Sequence, residues 1–258
     1  MRRLYASGFG NETRFVRDRL PSRRRWHGRV SRARHSTAYH NHELDIPAQF
    51  KMVKAKPRTS PAIPPASRSA PVQITFQDLT SKRWPDLETL FGPRGASGGC
   101  WCMWWRLRRS EYEKRKGAGN KRAFRRIVVS KLPAGVLAYA DGTPIGWCAV
   151  APREDYPVLA RSRVLALVDE QPVWSLTCFY IARDWRRTGL TTKLIEAAVQ
   201  YARKRGAKIV EGYPQDPKSG AFPDTFAWTG FASAFRKAGF KEVARRSAGR
   251  PVMRKVTS

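Results

Sequence analysis

The chain has 258 residues, with 50 Lys and Arg against 20 Asp and Glu, and a formal net charge of +30. At 41% hydrophobic residues it can build a real core and is not a wholly disordered polymer. No apolar run approaches the roughly 18 residues of a membrane-crossing helix; its 4 cysteines cannot staple a disulfide scaffold, so a reducing, cytoplasmic setting is expected.

Residues 1–70 hold 16 Lys and Arg and 4 acids, together with all 4 histidines, His27, His35, His40 and His42. Arg23-Arg24-Arg25 and a Pro-rich run from Pro57 to Pro65 lie there, and no apolar period of 3.6 or 2 is sustained. This stretch is expected to be a disordered basic extension. Three readings of it stay open. Its arginines could neutralise nucleic-acid phosphates without choosing a sequence. It has arginines suited to a targeting segment, although Glu12 and Asp18 argue against one. Or residues 1–51 are an inessential extension, with Met52 opening a more ordinary leader.

Residues 71–258 carry all but one of the 9 tryptophans and form the expected folded domain. Val72 to Phe76 alternates as a strand, and a short helix comes next, through Leu87 and Phe91. Gly92 to Gly99 is glycine-rich and leads into Cys100-Trp101-Cys102-Met103-Trp104-Trp105. Helices are predicted over Glu111–Lys116 and Lys121–Leu132. Gly135–Ala140 and Ile145–Val150 read as a hairpin around Asp141-Gly142. Residues 153–170 are expected to be a loop with some extended structure. Val173–Ile181 is the longest strand candidate, after which Leu194, Ile195, Ala198 and Ala202 make one helical stripe ending at Gly206. Lys208–Tyr213, a helix over about 230–238, and strands at Val243–Arg245 and Pro251–Val256 complete a mixed α/β order.

The most informative stretch runs from Ile181 through Arg186-Arg187-Thr188-Gly189-Leu190-Thr191, between a strand and an amphipathic helix. Free amides at a helix N-terminus bind phosphate, glycine permits close backbone approach, and the two arginines add charge. The GK[ST] ending of a P-loop and the further glycines of a Rossmann turn are both missing. The six residues resemble the Arg/Gln-x-x-Gly-x-Gly/Ala motif of the GNAT superfamily of acyl-coenzyme A-dependent N-acyltransferases. Thr191 replaces the last small residue. The resemblance spans about residues 72–258 and includes Phe235-Arg236-Lys237-Ala238-Gly239-Phe240 at the end of the next helix.

The resemblance implies a central mixed sheet of about 6–7 strands, splayed between the motif strand and the strand after it. It implies acetyl-CoA as co-substrate, with backbone groups of Phe179, Tyr180 and Ile181 pairing with the pantetheine arm. Amides from Arg187 to Thr191, with Arg186 beside them, would hold the pyrophosphate. A neutral primary amine would then attack the thioester directly.

No histidine lies in residues 71–258, so an imidazole base from the domain is excluded. Strand parity puts Glu211 and Tyr213 on one face, which makes them the candidate base and acid. The family's usual tyrosine in the last helix is replaced by Phe235. Trp101, Trp104 and Trp105 are candidates for an aromatic wall at the acceptor. Cys100, Cys102, Cys148 and Cys178 lack metal-site spacing, and no metal is expected. With few acids dispersed through a basic domain, the acceptor is expected to be neutral or acidic rather than polycationic. Two alternatives stand beside the enzyme: a basic nucleic-acid-binding protein, and an acyl-CoA binder without turnover.

Overall fold

The computed structural model describes residues 72–217 and 224–257. The expected disordered extension, and with it any nucleic-acid arm, lies outside the described residues.

Strand β1 (Ile74–Asp78) is followed by α1 (Trp84–Phe91), started by Pro85 in its first turn and stopped by Gly92 at φ 64°. Pro belongs at that start because its missing N–H is unpaired there anyway. An irregular loop then leads to α2 (Arg109–Arg115) and α3 (Ala118–Val129). Strands β2 (Gly135–Ala140) and β3 (Thr143–Pro152) form the expected hairpin, with Asp141 at φ 45° and Gly142 at φ 82° in its turn. A two-residue turn with both residues left-handed matches the twist of the flanking strands.

Residues 153–170 form a 3-10 turn and the one-turn α4 (Pro157–Ala160) rather than extended structure. Pro157 removes a donor that a strand would need. Next come β4 (Trp174–Ile181), α5 (Leu190–Arg203) and β5 (Ile209–Gly212), then α6 (Ala232–Lys237), β6 (Lys241–Arg245) and β7 (Pro251–Val256). No helix among the described residues is long and apolar enough to cross a membrane.

The strands form one sheet in the order β1-β2-β3-β4-β5-β7-β6, and β4 with β5 is its parallel pair. All other neighbours are antiparallel. One face packs on α5, whose buried stripe contains Leu190, Leu194, Ile195, Ala198 and Ala202, and on α6 through Phe235. The other face carries Leu87 and Phe91 of α1, Phe124 of α3, and Trp147.

Two features of β4 set the geometry at the centre of the sheet. Its pairing with β5 covers only Trp174↔Val210, Ser175↔Glu211 and Leu176↔Gly212. Beyond Leu176 no strand among the described residues pairs with that edge, and the two strands part. At the same point Thr177 is an extra residue: Leu176 faces Val150 of β3 and Cys178 faces Ala149, leaving Thr177 unmatched. This bulge reverses the alternation of the strand. Trp174 and Leu176 pack toward α5 before it, and Phe179 and Ile181 do so after it, while Cys178 and Tyr180 turn to the opposite core.

Gly212, the last residue of β5, leaves no room for a side chain, because a Cβ there would run into the Phe235 ring. Gly212→Ala is therefore expected to force Phe235 off its packing on Phe179 and to destabilise the domain by about 2 kcal/mol. A fall of roughly 4–8 °C in the calorimetric melting temperature checks this.

Candidate active site

The loop after β4 ends in a left-handed turn at the start of α5. Ala182 N–H bonds back to Ile145 of β3, the chain makes a 3-10 turn over Arg183–Trp185, and Thr188 Oγ1 donates to the Trp185 carbonyl at 2.8 Å. Arg187 at φ 64° and Gly189 at φ 83° are both left-handed, and Gly189 stands directly before α5. A left-handed turn entering a helix points successive N–H groups into one concavity. The first turn of α5 has no acidic residue, and a Cβ on Gly189 would meet nothing within 4 Å, so the approach to these amides is open. Arg186, Arg187 and Thr188 are exposed, Leu190 is buried under the sheet, and Thr191 is partly covered. The residues predicted as a phosphate cradle thus lie together at the C-terminal end of β4.

Phe179, Tyr180 and Ile181 lie on the stretch of β4 that has lost β5. Because Ala182 turns its N–H to β3, alternation turns the backbone groups of Ile181 and Phe179 to the open side. The Ile181 carbonyl there accepts from Arg186 Nε at 3.3 Å. An extended chain laid against this edge would find unpaired strand hydrogen bonds.

Glu211 and Tyr213 share a face, as parity requires, but Glu211 is no free base. It is fully buried, Oε1 accepts from Arg153 Nη1 at 2.9 Å and Oε2 from Arg254 Nε at 2.7 Å. The Tyr213 hydroxyl donates to Oε1 at 2.7 Å. A carboxylate already taking three donors, without exposed surface, has no lone pair directed at an amine. Its place is structural: it neutralises two buried guanidinium groups and orients a phenol. Tyr213 itself stands one residue past the end of β5, where the strands part. Its oxygen accepts from Arg153 Nη1 at 2.5 Å and lies 2.8 Å from Ser175 Oγ. Burial, followed by the Glu211 charge, pushes its phenol well above the usual tyrosine range.

Residues 161–173 cover this cluster and are tied down by arginines. Arg153 Nη2 donates to the Leu165 carbonyl, Arg246 to the carbonyls of Ala166 and Leu167, and Arg254 to Asp169 Oδ2. Sequence reasoning missed Ser175, Arg153 and Arg254. Arg254 was readable as a charge at an inward position of the Pro251–Val256 pattern; Arg153 lies in a stretch without period and gave no signal.

The expected wall of Trp101, Trp104 and Trp105 is divided. Trp101 and Cys102 adopt φ of 46° and 54°, and the chain turns sharply between the three rings. Trp101 stacks on Trp84 at 5.9 Å and meets Phe91 at 5.6 Å with the rings tilted by 56°. It floors a surface groove of about 560 Å³ between α1 and the start of α3. Phe91 stands between that groove and Tyr180 of β4, 5.4 Å from the latter, so the groove does not open onto the parted strands. Trp104 instead packs on Tyr112 and Trp228, with the Arg109 guanidinium over its ring at 4.6 Å. Trp105 donates its indole N–H to the Thr177 carbonyl at 3.1 Å. Phe235 is fully buried against Phe179 and Phe240.

Among the described residues no group of His, Cys, Asp and Glu is placed to hold a metal ion, and all 4 cysteines are free.

Residues 101–222 match the acetyltransferase (GNAT) family. No curated protein matches the sequence. Among solved structures, the PaiA N-acetyltransferase of Thermoplasma acidophilum in complex with coenzyme A is similar at 16% identity and a TM-score of 0.41, over 72% of this chain and 99% of that one. A GNAT-family acetyltransferase of Streptococcus agalactiae gives 12% identity and 0.45, over 72% and 96%. The ribosomal-protein-S18-alanine N-acetyltransferase of Escherichia coli gives 13% and 0.38, over 72% and 95%.

Replacing Glu211 by Gln leaves two buried arginines with one fewer counter-charge. Glu211→Gln is expected to cost about 3 kcal/mol, read as a lower urea midpoint at unchanged slope.

Proposed function

We propose that this chain, whose residues 101–222 match the acetyltransferase (GNAT) family, moves the acetyl group of acetyl-CoA onto a primary amine that is otherwise neutral or acidic. The observation that carries the reading is the conjunction on β4: an edge left free beyond Leu176, running directly into the left-handed turn and open amides before α5. A thioester arm needs the first, and a pyrophosphate needs the second.

Amides from Arg187 to Thr191, with the Arg186 and Arg187 side chains, bind the pyrophosphate. The β4 edge at Phe179 to Ile181 binds the pantetheine arm and holds the thioester carbonyl near backbone N–H groups. The amine arrives uncharged, its nitrogen forms the new C–N bond and loses one proton to water, the C–S bond breaks, and the sulfur leaves as a thiolate that takes a proton. Tyr213 supplies that proton by turning its hydroxyl hydrogen from Glu211 to the sulfur, and water reprotonates it. Burial keeps its phenol protonated, Glu211 and Ser175 fix its hydroxyl, and the Arg153 guanidinium stabilises the oxygen as the proton departs. Glu211 acts through Tyr213 and touches neither substrate.

The preference for a neutral or acidic acceptor is supported by the state of the nearby acids. Glu211 pairs with Arg153 and Arg254, Asp169 with Arg254, Asp155 with Arg106, and Asp216 with Arg236 and Arg245. A polycation would have to strip these pairs to reach those carboxylates.

Two substitutions separate binding from turnover. Gly189→Val puts a β-branched side chain at φ 83° and is expected to weaken coenzyme A binding at least tenfold by calorimetry. Affinity within twofold of wild type would remove the cradle assignment. Tyr213→Phe is expected to keep coenzyme A affinity while thiol release on an amine panel falls about 100-fold. Unchanged release would transfer the proton donor to water.

A further inference from the structure

We propose that Trp105 sets the length of the acyl group the protein accepts, by closing the end of the opening between β4 and β5; this rests on the acetyl-transfer reading above.

The phosphate-binding turn comes after Ile181, at the C-terminal end of β4. An arm laid along the free edge from that turn therefore runs backward along the strand, from Ile181 toward Thr177. Its acyl end reaches the place where β5 rejoins β4 at Leu176↔Gly212. Trp105 stands there. Its indole N–H holds the carbonyl of the bulged Thr177 at 3.1 Å, and its ring packs on Trp228 at 5.6 Å and 40°. It lies in the same packed cluster as Tyr213.

The indole is fixed at one end by a hydrogen bond and at the other by a second indole, and it is only 8% exposed. Such a ring does not swing aside at little cost. The neighbouring walls are equally closed. Phe179 and Phe235 meet edge to face at 6.0 Å, and a Cβ on Gly230 would lie 3.1 Å from both rings. Past the thioester carbon, then, an acyl chain meets an aromatic stop. Each further methylene in a closed apolar pocket changes affinity by about tenfold or more. The bulge contributes directly: Thr177 has no partner on β3, and its carbonyl is the one that Trp105 holds.

The test is a calorimetric series on the full chain with coenzyme A, acetyl-CoA, butyryl-CoA and hexanoyl-CoA. The wild type is expected to bind coenzyme A and acetyl-CoA alike, and hexanoyl-CoA at least about tenfold more weakly. Trp105→Leu is expected to bring hexanoyl-CoA within about twofold of acetyl-CoA. Trp105→Phe and Trp228→Leu, which trim the stop or its brace, should admit butyryl-CoA first. Wild-type affinity for hexanoyl-CoA equal to that for acetyl-CoA overturns the proposal while leaving the cofactor reading intact. So does a tenfold preference that survives all three substitutions. Failure of the wild type to bind coenzyme A at all would instead sink the acetyl-transfer reading on which the proposal stands.

Discussion

β4 hydrogen-bonds on both edges for three residues and then on one edge only, and the rest of the site is arranged around that change. A strand that loses a neighbour inside a sheet exposes unpaired backbone, which is costly unless something occupies it. Here the loss is confined to Thr177 through Ile181. Its near end is closed by Trp105 on the Thr177 carbonyl, and its far end passes into the turn before α5. Between these ends lies a length of backbone suited to an extended, hydrogen-bonding chain. Tyr213 meets the same change from the other side, as the first residue after β5 stops. The parting of two parallel strands therefore sets the turn before α5, the free edge and the phenol in one frame, each at the end of a strand.

The arginines contribute in a way that net charge conceals. Many of them donate to backbone carbonyls: Arg106 to Pro133, Arg153 to Leu165, Arg245 to Ala248, and Arg246 to Ala166 and Leu167. These carbonyls belong to irregular segments, where no neighbouring strand or helix turn satisfies them. A guanidinium has five donors in a planar fork and can hold two such groups at once. Part of the positive excess is thus construction material for loops, above all the cover over Ser175, Tyr213 and Glu211. A charge total counts these groups as if they all faced a partner.

The sequence carried the element order well because its periods are clean. The seven strands fall where alternation or β-rich runs put them, and the stripe of Leu194, Ile195, Ala198 and Ala202 is the buried face of α5. The turn between β4 and α5 was legible because one glycine and two arginines sit at a strand–helix junction, a local arrangement. What was not legible is what depends on distant partners. Glu211 and Tyr213 were put on the correct face by parity, but Arg153 lies 58 positions from Glu211 and Arg254 lies 43, and no local pattern announces either pairing. The division of the tryptophans was hidden for a different reason. Consecutive left-handed residues at Trp101 and Cys102 redirect the chain, and non-glycine side chains give no sign of that conformation.

The extra residue at Thr177 also bears on how this fold can change over evolutionary time. Point substitutions in β4 alter one side chain and leave the two faces as they are. Loss of Thr177 would leave even those faces in place: Leu176 and Cys178 would become neighbours opposite Val150 and Ala149, themselves neighbours, so register with β3 and the side of every later residue would survive. The change would fall on the backbone instead, because the carbonyl that Trp105 holds would be gone. In a strand without such an extra residue a one-residue loss turns every later side chain to the opposite face. At its bulge β4 can shorten by one residue and keep both cores.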